Sequence, residues 1–316
     1  MRDKIEHNQV SIYAITIIIA IVIGLMFPAI HILNDGLPLA LGILMYSMFL
    51  QIPFADLKAS FGHRKFMLAL LISNYIVVPL LVYILIQFLP NQPAIIFAVL
   101  LVLLTPCIDY VIVFTQIGKG DAKLMLASTP LLFITQILLL PFYIWLMMGK
   151  GFLSSLSILP FVKSFLFLIV IPFIAAIIVQ TLSTKNTILN LTHQISNWLP
   201  VPFMAIVLFI IIASQITPIA LHYEQIIQVI PIYIAFMIII FPLNLLVGKL
   251  FRLSSESKRT LIFSAGTRNS LAVLPFALAL PIDMILITTS IIVTQTIIEL
   301  IGELIYVKLT PKIHYT

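Results

Sequence analysis

Long apolar runs, separated by short polar segments, dominate the sequence. The runs are 20 to 27 residues long, and about 17 to 25 residues, or more when tilted, cross a bilayer as a helix. Ten runs can be counted, at residues 9–28, 36–55, 66–89, 93–117, 122–148, 161–182, 197–217, 225–251, 259–281 and 283–308. With 62% hydrophobic and 9% charged residues in 316 positions, the chain has more apolar surface than a soluble core could bury. We therefore expect an all-α integral membrane protein with ten transmembrane helices.

The distribution of Lys and Arg predicts the orientation of the chain, because short basic loops are rarely translocated. The first run is too long for the core of a signal peptide, so we expect it to be retained. If the N-terminus is cytoplasmic, the outer side carries Lys150 and Lys163, and Arg268 lies within a run. The other basic residues then face the cytoplasm: Arg2, Lys4, Lys58, Arg64, Lys65, Lys119, Lys123, Lys185, Lys249, Arg252, Lys258, Arg259, Lys308 and Lys312. We expect a multi-pass plasma-membrane protein with both termini in the cytoplasm, and the net charge of +6 requires no nucleic-acid partner.

Short strings recur in the same order in the two halves of the chain. "FLQIPFADL" (49–57) resembles "ASQITPIAL" (213–221), and "ITQI" (134–137) resembles "VTQT" (293–296). Runs one to five would then match runs six to ten, and an odd number of spans in each half inverts the second copy. We therefore expect two inverted five-helix repeats, at residues 1–148 and 161–316, joined by a linker at 149–160.

The fourth and ninth runs, which correspond in this alignment, contain residues that continue a helix poorly. Pro106 interrupts the fourth run, and Gly266, Asn269 and Pro275 interrupt the ninth. Broken spans leave unpaired backbone groups facing a cavity, which is a common way to build an ion or substrate site at the membrane midplane. The two breaks are therefore the first place to look for a functional site.

These two breaks carry opposite charges. Asp109 follows Pro106, and Arg268 follows Gly266. A lone charge at the bilayer centre costs from about 2.5 to above 10 kcal/mol, so each residue could offset the burial of the other if the broken helices cross. A purely structural ion pair is the alternative, although ionisable residues within a membrane are by default functional candidates.

Further polar side chains are expected to face the same interior. Gln295, Glu299 and Glu303 recur every four residues, which places them on one face of the tenth helix. The others are distributed over five further helices: Gln51, Asn74, Thr129, Gln136, Gln215 and Asn244. Any one of these groups could simply link two helices, but their clustering around the breaks favours a site.

The single cysteine, Cys107, lies beside the first break. A buried cysteine is usually a small apolar side chain, and no neighbour in sequence is of a metal-binding type. A soft thiolate would nevertheless suit a thiophilic metalloid. The sequence also lacks a phosphate-binding glycine pattern, a metal-ligand cluster and a nucleophile–base pair, so we expect neither an enzyme nor a cofactor.

Taken together, these features resemble the superfamily that joins bile acid:sodium symporters with arsenical-resistance permeases. The strings "TPCIDYVIVFTQIGKGD" (105–121), "SAGTRNSLAVLPFALALP" (264–281) and "VTQTIIEL" (293–300) are similar to those of bacterial members labelled arsenic resistance proteins. The resemblance implies that helices four and nine cross at broken centres. It also implies a panel domain of helices one, two, six and seven that moves against a core of the other six.

At the sodium-binding positions of the superfamily's symporters, this chain has mostly different residues. Asn74 stands where those symporters have a glutamine, Val111 and Ile112 replace a serine–asparagine pair, and Met125 and Thr129 replace a serine–threonine pair. The ninth-helix pattern Glu-x-Gly-x-Gln-Asn-Ser becomes Ser264, Ala265, Gly266, Thr267, Arg268, Asn269 and Ser270.

These replacements argue against a two-sodium mechanism. Sodium needs several oxygen ligands, and an arginine supplies none. The resemblance therefore implies that Arg268 is a fixed positive charge in place of an ion. Asp109 and Glu299 are then candidate proton carriers.

Three hypotheses follow for the function. In the first, a secondary transporter exports arsenite or a related metalloid in exchange for protons. Cys107 occupies the position of the arsenite permeases' helix-four cysteine, although their helix-nine glutamate is absent. In the second, the substrate is a small organic anion, coupled to sodium or protons, that binds Arg268 and half-helix N-termini. A channel or non-transporting membrane protein is the third. The candidate substrate or coupling residues are Asn74, Cys107, Asp109, Thr129, Gln136, Thr267, Arg268, Asn269, Ser270, Gln295 and Glu299, with Ser264 a further altered sodium-site position.

Overall fold

The computed structural model describes residues 8–27, 36–51, 63–108, 110–155, 158–183, 190–191, 195–196, 198–221 and 223–312. These ranges are predominantly helical, and their one β-type pairing is an isolated bridge between Pro106 and Arg268. The all-α class expected from the sequence is therefore confirmed for the described residues.

The helices coincide closely with the apolar runs. In chain order they are α1 (Gln9–Met26), α2 (Leu37–Gln51), α3 (Arg64–Ile86), α4 (Pro93–Leu103), α5 (Val111–Ile117), α6 (Ala122–Ser155), α7 (Ile158–Phe165, Leu166–Val170 and Ile171–Ser183), α8 (Pro200–Leu221), α9 (Tyr223–Leu250), α10 (Ser255–Gly266), α11 (Ser270–Leu278) and α12 (Ile282–Leu309). The fourth run thus forms α4 and α5, and the ninth run forms α10 and α11.

Five helical segments are long and apolar enough to cross a membrane: Arg64–Ile86, Ala122–Gly149, Val162–Ser183, Tyr223–Leu250 and Met284–Lys312. Shorter apolar helices accompany them at Ser11–Met26, Leu37–Gln51, Pro93–Leu103 and Pro200–Ser214. Large apolar side chains such as Leu138 and Ile238 are 70% and 66% exposed, which suits a surface covered by lipid. The chain is a multi-pass membrane protein. The ten-span count, the inverted repeat and the orientation of the termini stay predictions.

Pro79 shapes α3 near Asn74. Pro79 lacks an N–H, so the carbonyl of Tyr75 four residues earlier loses its usual helical donor. The helix widens into a π turn at Ser73–Val77, and the Tyr143 hydroxyl donates to the free Tyr75 carbonyl. Asn74 therefore projects from an irregular turn rather than from a regular helix.

The break in the ninth run is shorter than expected. It separates α10 from α11 at residues 267–269, whereas Pro275 lies inside α11. The expectation that Pro275 also interrupts this run is wrong. Prolines lie inside other apolar helices of this chain too, at Pro130, Pro141, Pro231 and Pro242, because membrane helices tolerate a locally unpaired backbone group.

Two compact units can be distinguished. The first contains the described parts of Met1–Ile52, Ser157–Tyr223 and Leu274–Val293, and the second contains those of Pro53–Leu156, Glu224–Val273 and Thr294–Thr316. Within the first, α8 packs on α1 and α2, and the Gln180 amide donates to the carbonyls of Phe49 and Leu50 at 3.3 and 2.8 Å.

In the second unit, α10 packs against α3, α5 and α6. Gly118 allows the close approach of α5 to α10, because a Cβ there would lie 2.2 Å from the ring of Phe263. The repeat boundary expected at 149–160 and the panel and core domains stay predictions. Within that segment, Gly149 adopts φ 77° and ψ 172° and kinks α6, a conformation that favours glycine.

Candidate functional site

Two interruptions of the helical structure meet in the second unit. The Cys107 N–H donates to the Thr267 carbonyl at 3.1 Å, and the Asn269 N–H donates to the Thr105 carbonyl at 2.8 Å. These bonds pair Pro106 with Arg268 in an antiparallel bridge. Backbone groups freed by one break are thereby satisfied by the other, as burial within a membrane requires.

Local sequence explains the ends of α10 and α11. A Cβ on Gly266 would lie 2.8 Å from the ring of Tyr306 and 3.2 Å from Oε1 of Glu303, so only glycine lets α12 lie this close. At the start of α11, Oδ1 of Asn269 accepts from the Ala272 N–H at 3.1 Å and caps the helix. The bridge therefore lies between the C-terminal end of α10, at Gly266, and the N-terminal start of α11, which Asn269 caps.

The guanidinium group of Arg268 is fully buried beside this bridge. Nη1 donates to the Leu103 carbonyl at 3.3 Å, and Nη2 donates to Oδ1 of Asn74 at 2.9 Å and to the Ser264 carbonyl at 2.7 Å. Its Cζ also lies 5.8 Å from the centre of the Phe236 ring, within cation–π range. Oxygen atoms from α3, α4 and α10 thus surround one fixed positive charge.

The Asn74 side chain is held from several directions. Its Nδ2 donates to the Leu70 carbonyl and to Oγ of Ser264, both at 3.1 Å. With the amide nitrogen engaged in this way, Oδ1 is left to accept from Arg268. Asn74 and Ser264 therefore contact both each other and the guanidinium group.

A carboxylate lies on the other side of the bridge. Glu299 is 1% exposed, and its Oε2 accepts from the main-chain N–H of Arg268 at 2.8 Å and from Nε2 of Gln295. Its Oε1 lies 2.7 Å from the hydroxyl of Tyr110, which also lies 2.9 Å from the Arg268 carbonyl. Two N–H donors and a hydroxyl shared with the Arg268 carbonyl thus face Glu299, an arrangement suited to a negative charge.

One helical turn further along α12, Glu303 is also fully buried. Its Oε1 lies 3.1 Å from Oγ1 of Thr267, and among the described residues its Oε2 has no hydrogen-bond partner. The Thr267 hydroxyl is itself 2.7 Å from the Phe263 carbonyl. The two carboxyl groups of α12 therefore differ sharply in how many donors they meet.

Cys107 and Ser270, two further candidates from the sequence, also lie near the bridge. The Cys107 side chain is fully buried. Oγ of Ser270 accepts a hydrogen bond from Oγ1 of Thr296 at 2.7 Å, which joins α12 to the start of α11. Asp109 lies outside the described residues, so its pairing with Arg268 stays a prediction.

The structure does not join the candidates on α6 to this hydrogen-bond network. Thr129 donates to the Leu126 carbonyl within its own helix at 2.8 Å, and Oε1 of the buried Gln136 has no partner among the described residues. Gln51 belongs to the first unit, and the side chain of Gln215 lies outside the described part. Within the described ranges, no group of three or more His, Cys, Asp or Glu residues could hold a metal ion.

Sequence reasoning missed three parts of the network. Tyr110 was not a candidate, although a hydroxyl beside the first break was a usable signal. Glu303 was placed on the correct face of the tenth helix but was not among the candidate residues. The Leu103 carbonyl could not have been identified, because only the folded backbone shows which carbonyls a break leaves free.

A helical membrane protein with buried charges at two broken helices has the organisation of a transporter. The sequence profile described as the Sodium Bile acid symporter family matches residues 38–222, which is more than half of the chain. The chain therefore belongs to the sodium bile acid symporter family, and sodium-coupled or related membrane transport is its general function. The matched segment includes Asn74 and Cys107 and ends before Arg268. No curated protein matches the chain.

Proposed function

We propose that this protein is a secondary active transporter in which Arg268 takes the place of a sodium ion. The observation that carries the proposal is the pair of hydrogen bonds from Nη2 to Oδ1 of Asn74 and the Ser264 carbonyl. By resemblance, both residues stand at sodium-site positions. Their oxygen atoms are engaged by a tethered cation and are not free to coordinate another.

Electrostatic repulsion strengthens this argument. Two unit positive charges 4 Å apart repel by about 4 kcal/mol at an effective dielectric constant of about 20. Since every 1.4 kcal/mol is about tenfold in affinity, a sodium ion beside the guanidinium group would bind about a thousandfold more weakly. Sodium coupling through this site is therefore disfavoured, and protons are the proposed coupling ion.

The proposed architecture is the ten-helix inverted repeat with both termini in the cytoplasm. The agreement of the helices with the apolar runs supports it, as does the presence of a break in both the fourth and the ninth runs. In this arrangement, the panel helices move against a core that contains the bridge, and alternating access exposes the site to each side in turn.

The proposed substrate is arsenite or a related metalloid, which the protein exports. Cys107 supports this choice, because its side chain is buried at the bridge and its N–H is fixed to the Thr267 carbonyl. A soft sulfur suits trivalent arsenic better than an oxygen ligand does. Protons entering the cell in exchange would be carried by the buried carboxyl groups, with Asp109 and Glu299 as the candidates from the sequence.

A small organic anion is the second candidate substrate. Nε of Arg268 and Nδ2 of Asn269 are buried donors with no hydrogen-bond partner among the described residues. Asn269 caps the N-terminus of α11, where the helix dipole favours negative charge. These donors and this helix end are suited to a carboxylate.

Arsenite accumulation in everted membrane vesicles tests the proposal. In vesicles that are energised to be acidic inside, we expect accumulation that persists when choline replaces sodium and that collapses with a protonophore. Cys107→Ser is expected to abolish it, because the hydroxyl is a poor ligand for arsenic.

Cys107→Ser distinguishes the two substrates in this assay. For an organic anion this variant is silent, and Arg268→Lys alone loses transport, because an ammonium group cannot reproduce the guanidinium fork. Strict dependence on sodium would contradict the role proposed for Arg268, whichever substrate is moved.

A further inference from the structure

We propose that the Glu303 carboxyl group binds a proton in this conformation and is a coupling-proton site of the protein. This inference rests on the proton coupling proposed above and assigns it to a residue that was not among the candidates from the sequence. It is carried by the hydrogen-bond geometry between α10 and α12.

The Thr267 hydroxyl has a single proton to donate. Oγ1 lies 2.7 Å from the Phe263 carbonyl and 3.1 Å from Oε1 of Glu303, so two acceptors face one donor. The shorter contact is the intrahelical bond that threonine commonly makes to the carbonyl four residues earlier. The longer contact then brings two oxygen atoms together without a proton between them, unless Glu303 supplies one.

A protonated Glu303 resolves this conflict. Its O–H donates to Oγ1 of Thr267, and the Thr267 hydroxyl donates to the Phe263 carbonyl, so every oxygen in the chain has a suitable partner. The remaining Oε2 is then the carbonyl oxygen of a neutral acid. A buried carbonyl oxygen without a hydrogen-bond partner costs far less free energy than a buried carboxylate oxygen without one.

The other polar groups near Glu303 direct their protons elsewhere. The Tyr306 hydroxyl, on the same helix, donates to the Met237 carbonyl on α9. The Arg268 guanidinium group interacts electrostatically with Glu303, but its hydrogen bonds go to Leu103, Asn74 and Ser264. Glu299 adds a second acidic group one turn away, and Tyr110 is directed to Glu299 and Arg268. An ionised Glu303 would therefore meet no strong donor from the described residues.

Glu299 shows what a buried carboxylate in this site requires. Two N–H donors approach it, from Arg268 and Gln295, and the Tyr110 hydroxyl is shared between it and the Arg268 carbonyl, whereas Glu303 is approached by the single hydroxyl of Thr267. Both side chains are almost completely buried. A buried charge without such donors is unfavourable in a membrane, so the poorly solvated Glu303 is the member of the pair that retains a proton.

Glu303 is also placed to couple its proton to the break between α10 and α11. Its carboxyl group lies against Gly266, the last residue of α10, and contacts Thr267, the first residue of the break. The carbonyl of Thr267 forms the bridge to Cys107. Release of the proton places a second negative charge beside the break, which changes the contacts that hold Thr267.

Infrared spectroscopy of the purified protein in lipid nanodiscs tests the protonation directly. We expect a carbonyl-stretch band of a protonated carboxylic acid at neutral pH that is lost in Glu303→Gln. Thr267→Val is expected to shift the band to higher frequency by removing its hydrogen-bond acceptor, whereas Thr267→Ser leaves it in place. Glu256→Gln is the matched control, because Glu256 is exposed at the start of α10 and its loss should leave the band unchanged.

An unchanged protonated-carboxyl spectrum in Glu303→Gln overturns the proposal. If that variant does not fold, Thr267→Val decides the matter, and the absence of a frequency shift overturns it. This assay needs neither substrate nor sodium, so its outcome is independent of whether Arg268 replaces sodium.

The coupling role has a separate test in everted vesicles. We expect Glu303→Gln to lose the protonophore-sensitive part of arsenite accumulation. Should it lose the infrared band and keep wild-type protonophore-sensitive accumulation, the proton is only structural and the coupling role is wrong. If the wild-type protein does not move arsenite at all, the proposed substrate fails, and the same comparison is made with the transported organic anion.

Discussion

Replacement of Arg268 with methionine is expected to destabilise the protein by about 3–5 kcal/mol and to abolish transport. Methionine is an unbranched apolar side chain that fills part of the same space, so the loss reports mainly the guanidinium group. Removing that group leaves the Leu103 carbonyl, Oδ1 of Asn74 and the Ser264 carbonyl without their donor. It also removes a positive charge that interacts electrostatically with Glu299. The measurement is the apparent melting temperature in detergent, together with vesicle transport.

Arg268→Lys separates the charge from the hydrogen-bond fork. Lysine keeps the charge but cannot direct donors in a plane to three oxygen atoms. We expect an intermediate loss of stability, about 1–3 kcal/mol, with transport still abolished. Arg64→Lys is the matched control, because Arg64 is exposed at the start of α3 and should tolerate the change. A wild-type melting temperature and transport rate in Arg268→Lys would show that the fork is not required.

Replacement of Glu299 with glutamine is expected to lower stability by about 1.5–3 kcal/mol and to abolish transport. The amide oxygen can still accept from the Arg268 N–H and from Gln295, and the new amino group can donate to the Tyr110 hydroxyl. Tyr110 can in turn donate to the Arg268 carbonyl, 2.9 Å away. The geometry therefore survives, and the measured loss is that of the negative charge.

The double variant Arg268→Met/Glu299→Gln tests whether the two charges depend on each other. Neighbouring residues in one network couple by about 0.5–3 kcal/mol, so the double variant should lose less stability than the sum of the single changes. Glu256→Gln serves as the exposed control. Strict additivity of the two stability losses would mean that Arg268 and Glu299 act independently.

The large features of the fold were predictable because they follow from the membrane environment. Apolar runs of spanning length predicted the helices, and Pro106 and Gly266 predicted the two breaks. Pro275 misled the same reasoning, because a proline ends a helix only where the freed backbone group finds no tolerable environment. Sequence alone gives the residue type and not that environment.

The site was predicted as a set of residues but not as a network. Asn74 and Arg268 were both candidates, yet the sequence gives no sign that they touch, because they are separated by 194 positions. Their contact depends on the π turn that Pro79 imposes on α3 and on the close packing of α10 against it. The different surroundings of Glu299 and Glu303 were hidden for the same reason, since their spacing shows only that they share a face.

Thermal unfolding of the purified wild-type protein in sodium chloride, compared with choline chloride at equal ionic strength, tests the central claim most directly. It needs no knowledge of the substrate. A ligand that binds only the folded state at a hundred times its Kd stabilises that state by about 2.7 kcal/mol. Because the Arg268 guanidinium group already engages Asn74 and Ser264, we expect no difference between the two salts. A saturable rise of the melting temperature with sodium would contradict it.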